Sequence, residues 1–207
     1  NPSFKGIRGA VAQLFKADEK YELAVETALG GSFQSLVVEN EADAKNAVNY
    51  LKSNQLGRAT FLPMSTVRGR TLGTEKDSLL KEKGVIASAV DLIKCDREYM
   101  GIAESLLGRI IVIDTIDNAI AFAKKFKQSY RLVTLEGESF MPGGAITGGS
   151  TGKKNSGVFG RKREIDSLKA ETEALSAACE GLASERDKNK NKADSIDEEI
   201  EDRREEA

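Results

Sequence analysis

The sequence predicts an α/β (α+β) domain of two related α/β lobes, followed by one long coiled-coil helix. Three features support this prediction: a strand–helix–strand pattern that occurs twice, a glycine-rich segment after the last predicted strand, and a heptad pattern near the C-terminus. The expected boundaries are 1–160 for the domain and 161–207 for the helical arm. Within the domain, lobe one is expected at about 1–84 and lobe two at about 85–160.

The two lobes are predicted from a repeated order of apolar segments. β-branched runs predict strands, and apolar residues at i, i+3, i+4 and i+7 predict helices. A shift of 75 residues superimposes the two copies, for example Val38 on Ile113 and Leu51 on Phe126. Duplication and convergence both explain the pattern. The predicted strand, helix and strand are 35–39, 42–51 and 58–63 in the first copy, and 109–114, 116–126 and 130–137 in the second.

The heptad pattern predicts that 161–207 is a single helix. This segment has no proline and one glycine, Gly181. With Ile165 at position a and Leu168 at position d, the register is unbroken for six heptads, and eight of the twelve a and d positions are apolar. Such a stripe is typical of a coiled coil, the alternatives being a solvated charged helix or an acidic tail. Because one stripe cannot bury itself, we expect a partner helix from outside this sequence.

Composition lowers the expectation of catalysis. The 207 residues include no histidine, which removes the commonest general base and most catalytic zinc sites, although carboxylate or lysine chemistry is still possible. The two cysteines, Cys95 and Cys179, have no paired spacing, which is typical of a reducing compartment. No apolar run approaches the ~20 residues of a membrane helix, and no segment resembles a signal peptide. We therefore expect a cytoplasmic protein without membrane contact.

The charges are segregated along the chain. Residues 1–150 carry 19 basic and 18 acidic side chains, residues 151–163 carry five basic and no acidic ones, and residues 164–207 carry seven basic and fifteen acidic ones. A basic run can bind phosphate groups with little sequence preference, or it can simply keep a connector soluble. The basic residues of this run are Lys153, Lys154, Arg161, Lys162 and Arg163.

A cluster of glycines follows the last predicted strand. Gly143, Gly144, Gly148 and Gly149 lie within seven residues. Three interpretations are open: a phosphate-binding loop, a plain turn, and a contact in which a second backbone approaches closely. The spacing disfavours the phosphate loop, because that motif requires glycine where Thr147 stands and Ser or Thr where Lys154 stands.

The glycine segment and its surroundings resemble a known family. Residues 131–149 (RLVTLEGESFMPGGAITGG) are similar to the glycine signature of the SMC hinge. Residues 28–63 resemble the first half of the same domain in bacterial and archaeal members, and residues 4–31 resemble its N-terminal edge. The resemblance therefore extends over about residues 4–160.

The resemblance implies a homodimerisation hinge within a chromosome condensation and segregation ATPase. It implies that the four glycines lie at the contact between two copies, and that the five basic residues contact DNA weakly and without sequence specificity. It also implies a partner arm helix before Asn1, ATP and Mg²⁺ only at distant heads, and a cytoplasmic, nucleoid-associated protein. No catalytic residue, metal or cofactor is expected in this chain. Two other functions are left open: a small nucleotide-binding α/β domain using the glycine-rich loop, and a generic coiled-coil adaptor.

Overall fold

The computed structural model describes residues 4–149 and 158–205. The chain divides into two compact units, Asn1–Gly160 and Arg161–Ala207. The first unit contains short strands and helices in a mixed α/β arrangement, as the sequence predicts. Its strands are β1 (Ile7–Ala10), β2 (Lys16–Ala17), β3 (Leu36–Val38), β4 (Phe61–Pro63), β5 (Val85–Ser88), β6 (Ile93–Lys94), β7 (Ile110–Ile113), β8 (Arg131–Thr134), β9 (Ser139–Phe140) and β10 (Ile146–Thr147). Its helices are α1 (Val11–Leu14), α2 (Glu22–Leu29), α3 (Glu41–Ser53), α4 (Lys76–Leu79), α5 (Met100–Leu107) and α6 (Ile116–Lys125).

The two main sheets share one construction. In each, two parallel strands are joined by a helix, with α3 between β3 and β4 and α6 between β7 and β8. An antiparallel strand lies on the other side of the first parallel strand, β1 beside β3 and β5 beside β7. The first sheet has the order β1-β3-β4, whereas the second continues through β9 and β10 in the order β10-β9-β8-β7-β5.

The structural repeat begins earlier in the chain than the pattern seen in the sequence. A shift of 78 residues superimposes β1 on β5 and α2 on α5, and brings β2 to within one residue of β6. The antiparallel pairs even share a register shift, between Ile7 and Gly9 in one sheet and between Val85 and Ala87 in the other. The two lobes are therefore copies of one folding unit over most of their length.

The short β2–β6 ribbon joins the two copies. It pairs Lys16 with Lys94, which are equivalent residues under the 78-residue shift. Equivalent residues that face each other across an antiparallel pair are related by a two-fold rotation, so an approximate two-fold relation exists inside the chain. Lys94 Nζ donates to the Asp18 carboxylate at 2.7 Å across the same ribbon, and this contact lowers the pKa of Asp18.

One hydrophobic core serves both copies. Val11, Phe15 and Val25 of the first copy are fully buried in a cluster with Ile102 and Leu107 of the second. Alternate residues of a strand point to opposite faces of its sheet. Accordingly, β7 places two of its side chains in this shared core and two in a second cluster that includes residues of α6. Separating the lobes would expose this core to water.

The helices that cross each parallel pair begin at equivalent N-caps. The side-chain oxygen of Asn40 accepts from the backbone N–H of Asp43 at 3.0 Å, and that of Thr115 accepts from the N–H of Asn118 at 3.4 Å. Each bond satisfies an N–H that has no partner within its own helix. Asn118 in turn donates to Asp114 at 2.8 Å and lowers the pKa of that carboxyl.

The long helix α7 spans Val158–Glu205. At 1.5 Å per residue its 48 residues extend roughly 70 Å. Apolar residues of the heptad stripe are 43–65% exposed along it: Ile165, Leu168, Leu175, Leu182, Ile196 and Ile200. Over the described residues, no helix combines the length and the apolar character that crossing a membrane would require.

The N-caps lead to a stability prediction. Replacing Thr115 with alanine removes the side-chain oxygen that accepts from the N–H of Asn118, so we expect a loss of about 1 kcal/mol in the free energy of unfolding. Asn49→Ala, within α3, is the matched control, because alanine favours the interior of a helix. Urea denaturation followed by circular dichroism measures both. Equal stability of the Thr115→Ala variant and the unchanged chain would show that the cap contributes nothing.

The exposed stripe of α7 leads to a second prediction. A single helix gains little from a heptad pattern without a partner, so in solution the part beyond Leu182 should exchange its amide hydrogens rapidly. By contrast, the amides of β7, which is buried on both faces, should exchange slowly. Hydrogen exchange with mass spectrometry resolves the two segments. Slow exchange throughout α7 in a monomeric sample would contradict this expectation.

Candidate functional site

The glycine-rich segment forms a β-hairpin at the edge of the five-stranded sheet. Strand β9 leads into a turn, and β10 returns antiparallel to it, with Ile146 opposite Phe140 and Thr147 opposite Ser139. Residues 141–149 are all exposed. Strand β10 is the last strand of its sheet, and its outer side pairs with no other strand within 4–149. The hairpin thus presents a sheet edge to solvent.

Three of the four predicted glycines are required by the backbone itself. Gly143, Gly144 and Gly149 have φ of 90°, 99° and 138°, a region that residues with a Cβ rarely adopt. Within the turn, the N–H of Gly144 donates to Met141 at 3.0 Å and the N–H of Gly143 donates to Gln128 at 3.1 Å. Part of the glycine density therefore comes from local turn geometry.

The space around the glycines differs from one position to another. A Cβ on Gly143 or Gly149 would meet no heavy atom of the described residues within 4 Å. A Cβ on Gly148 would lie 2.9 Å from Cγ of Glu138, a side chain of the same lobe. Open space at Gly143 and Gly149 leaves room for another backbone to approach, which is the geometry that the close-contact interpretation needs.

The described part of the segment does not have the geometry of a phosphate loop. Such a loop leads from a strand directly into a helix N-terminus. Here Gly143 and Gly144 lie in the turn between two strands, and α7 begins only at Val158. The candidate phosphate ligand Lys153 lies outside the described residues.

An apolar pocket adjoins the exposed edge, and sequence reasoning missed it. It has a volume of about 140 Å³ and lies between α6 and the hairpin. Ile146 of β10 forms part of its wall and is 54% exposed. Large exposed apolar side chains beside an unpaired strand are typical of protein–protein contacts. Other lining residues include Ile120, Ala123, Tyr130, Phe140 and Met141.

A second free edge lies in lobe one. Strand β4 corresponds to β8, because Leu36 pairs with Phe61 as Ile111 pairs with Leu132. In lobe two, β9 pairs with the outer side of β8, but the three-stranded sheet ends at β4. The half-buried strand β4 therefore lacks the neighbour that its equivalent has. In lobe two the hairpin of β9 and β10 extends the sheet beyond β8, whereas in lobe one the sheet ends at β4 without such a hairpin.

The predicted basic residues are only partly described. Lys153 and Lys154 lie outside the described residues. Arg161 is exposed on α7, and Lys162 and Arg163 lie in the same helix. The structure therefore leaves their proposed contact with DNA as a prediction. Among the residues that are described, no group of three or more Cys, Asp or Glu has the arrangement of a metal site.

The two lobes with a shared core and a glycine hairpin define a hinge-type dimerisation fold. Residues 4–123, more than half of the chain, match the family described as SMC proteins Flexible Hinge Domain. The chain therefore belongs to the SMC hinge family.

Individual relatives agree with this assignment. The chain is 43% identical over 170 residues to the chromosome partition protein Smc of Desulfitobacterium hafniense, and 40% identical over 164 residues to that of Bacillus subtilis. These matches span 82% and 79% of this chain but 14% of each relative. The chain thus spans about a seventh of the length of these curated relatives.

A solved structure shares the fold. The asymmetric dimer of the Geobacillus stearothermophilus SMC hinge domain matches with a TM-score of 0.74 and 37% identity. The match covers 84% of this chain and 70% of that one.

The glycine geometry leads to a third prediction. Gly143→Ala should cost about 1–2 kcal/mol in the free energy of unfolding, because alanine is strained at a φ of 90°. Gly31→Ala is the matched control, since its Cβ would also meet nothing within 4 Å and its φ lies outside the positive region. Urea denaturation should be performed at two protein concentrations, because a loss due to self-association would depend on concentration. A Gly143→Ala variant as stable as Gly31→Ala would show that the backbone at position 143 does not require glycine.

Proposed function

We propose that this chain is the homodimerisation hinge of an SMC chromosome condensation and segregation ATPase, joining two coiled-coil arms. The observation that carries the proposal is the pair of unequal sheet edges within one chain, β4 in lobe one and β10 in lobe two. Unpaired sheet edges offer backbone donors and acceptors to another chain. The Geobacillus hinge, described as a dimer, supports the same conclusion.

Edge pairing between two copies satisfies both edges at once. Strand β10 of one copy pairs with β4 of the second, and β10 of the second pairs with β4 of the first. The same contact then occurs twice around a two-fold axis, and neither edge is left free. This closed arrangement occupies both β4 and both β10 edges, so a third copy cannot join through these strands.

The glycines and the apolar pocket serve this contact in different ways. The space around Gly143 and Gly149 lets a partner backbone approach the hairpin. Ile146 and the pocket beside it provide apolar surface next to the backbone hydrogen bonds of the edge. Burial of such surface supplies much of the driving force for association, while edge pairing supplies its register.

The remaining functions belong to the parent protein. We propose that ATP and Mg²⁺ bind at heads outside this chain, and that the parent protein is cytoplasmic and associated with the nucleoid. The basic run from Lys153 to Arg163 contacts DNA weakly at the start of the arm, through phosphate groups. The acidic arm that follows, with fifteen acidic and seven basic residues, repels DNA and keeps this contact local.

A generic coiled-coil adaptor is the second candidate, favoured by the exposed apolar stripe of α7. That function would place dimerisation in the arm. Truncation after Gly160 distinguishes the two candidates, because the hinge retains its self-association without the arm and the adaptor does not. Light scattering at micromolar concentration measures the mass of the truncated chain.

A substitution at the edge tests the proposal directly. Ile146→Lys places a charge on exposed β10, so we expect a folded chain that sediments as a monomer at concentrations where the unchanged chain is a dimer. Ile116→Lys is the matched control, because Ile116 is 40% exposed at the start of α6, outside β10. That variant should remain a dimer. A dimeric Ile146→Lys variant, or an unchanged chain that is monomeric, would refute edge pairing.

A further inference from the structure

Each lobe carries an arginine-lined pocket at the N-terminal end of its parallel strands. In lobe two the pocket has a volume of about 330 Å³, and Pro142 of the glycine hairpin forms part of its wall. Its other lining residues are Arg109, Ser129, Tyr130 and Arg131, with the apolar Leu106 and Ile110. In lobe one a pocket of about 280 Å³ is lined by Gln34, Ser35, Arg58, Ala59, Thr60 and Gly31.

The two pockets occupy equivalent places in the repeat. Gln34 and Ser35 correspond to Arg109 and Ile110 under the 75-residue shift. The stretch 58–60 corresponds to 129–131 under a shift of 71 residues. The same shift relates Phe61 to Leu132, which pair with the equivalent residues Leu36 and Ile111. Gly31 corresponds to Leu106 under the 75-residue shift, so all six lining residues of the first pocket have an equivalent in the second. Both lobes therefore have a cavity at this place, and different side chains line it.

The chemistry of both pockets suits an anion. Arg58 provides a guanidinium in lobe one, and Arg109 and Arg131 provide two in lobe two. Hydroxyls accompany them, from Ser35 and Thr60 or from Ser129. Neither lining includes a carboxylate, but the hydroxyl of Tyr130 donates to the nearby Glu75 carboxylate. Guanidinium and hydroxyl groups are the usual protein donors to phosphate oxygens.

Arg131 carries an unused donor. Its Nη2 donates to the backbone carbonyl of Thr27 at 3.2 Å, but its Nε is buried without a hydrogen-bond partner among the described residues. Burial lowers the pKa of this guanidinium, which nevertheless stays charged near neutral pH. A buried charged donor without an acceptor is costly.

Charge is distributed unequally between the two ends of the sheets. The segments that border the pockets, 30–35, 54–60, 106–110 and 126–131, contain four basic residues and no acidic one. At the opposite ends, the strands β3 and β7 are followed by acidic residues, namely Glu39, Glu41, Asp43, Asp114 and Asp117. An extended polyanion is therefore attracted to the pocket ends and repelled from the other ends.

We propose that the two pockets bind phosphate groups of a nucleic-acid backbone, as a contact separate from the basic run at the start of the arm. The repeat then gives one chain two phosphate sites, and a dimer four. This inference extends the proposed weak DNA contact to named residues of the lobes. Each pocket is formed by residues of a single chain.

Substitution of the exposed arginines Arg58 and Arg109 tests the inference. Arg58→Gln/Arg109→Gln removes one charge from each pocket, and Lys45→Gln/Lys81→Gln removes two exposed charges elsewhere as the matched control. Fluorescence anisotropy with a labelled duplex of mixed sequence, at several salt concentrations, measures binding by the full chain. We expect the pocket variant to bind about three- to tenfold more weakly in low salt, and its salt slope to fall by about one unit for each arginine lost. Light scattering reports the oligomeric state of each variant.

The outcomes are distinct. A weaker pocket variant with unchanged oligomeric state, beside a control that binds nearly as the unchanged chain, supports the inference. An equal loss of duplex affinity in the pocket variant and the control overturns it, because the loss then reflects the net charge of the chain. If Lys153→Gln/Lys154→Gln abolishes binding and the pocket variant binds normally, the arm is the site and the inference fails. If the pocket variant dissociates a dimer, the pockets bind acidic groups of a second copy instead. A monomeric unchanged chain would refute edge pairing but leave this comparison valid.

Discussion

The core shared by the two lobes is the constraint on which the rest of the structure depends. Phe15 and Val25 of the first copy pack with Ile102 and Leu107 of the second, and β7 is buried on both faces. Moving one lobe against the other would expose this core, at a cost of about 25 cal/mol for each Å² of apolar surface. The edges of β4 and β10 are therefore held at a fixed spacing within one chain.

A fixed pair of unequal edges explains why an internal repeat suits a dimerisation domain. If both lobes ended at β4-like strands, any copy could pair edge to edge with any other and assembly would not close. The hairpin of β9 and β10 covers β8 and adds a different edge in its place. Lobe two thus differs from lobe one at the edge that pairs in the proposed dimer. The repeat supplies two similar sheets. In the proposed dimer, the glycine hairpin gives lobe two an edge that complements β4 of lobe one.

Much of this architecture could be predicted from the sequence. The α/β class, both strand–helix–strand units and the long helix follow from apolar periodicity, which depends only on local spacing. The earlier part of the repeat was missed, although Lys16, Asp18, Tyr21 and Leu29 recur as Lys94, Asp96, Tyr99 and Leu107 under the 78-residue shift. A three-residue difference between the two shifts hid that match. Three features could not be predicted, because they depend on pairing between distant segments. They are the apolar pocket, the free edge of β4 and the two arginine-lined pockets. The glycines were predicted for a contact between chains, and the structure adds a local reason at Gly143, Gly144 and Gly149.

The most direct test of the account is complementation between two damaged edges. Ile146→Lys disables the edge of lobe two, and Phe61→Glu, on half-buried β4, disables the edge of lobe one. Each variant alone should be a folded monomer, because both contacts of its homodimer contain a disabled edge. A mixture of the two should form a heterodimer through the one contact whose edges are both intact, detectable by native mass spectrometry of differently tagged chains. A mixture that stays monomeric, or either variant dimerising alone, would contradict pairing of lobe one with lobe two.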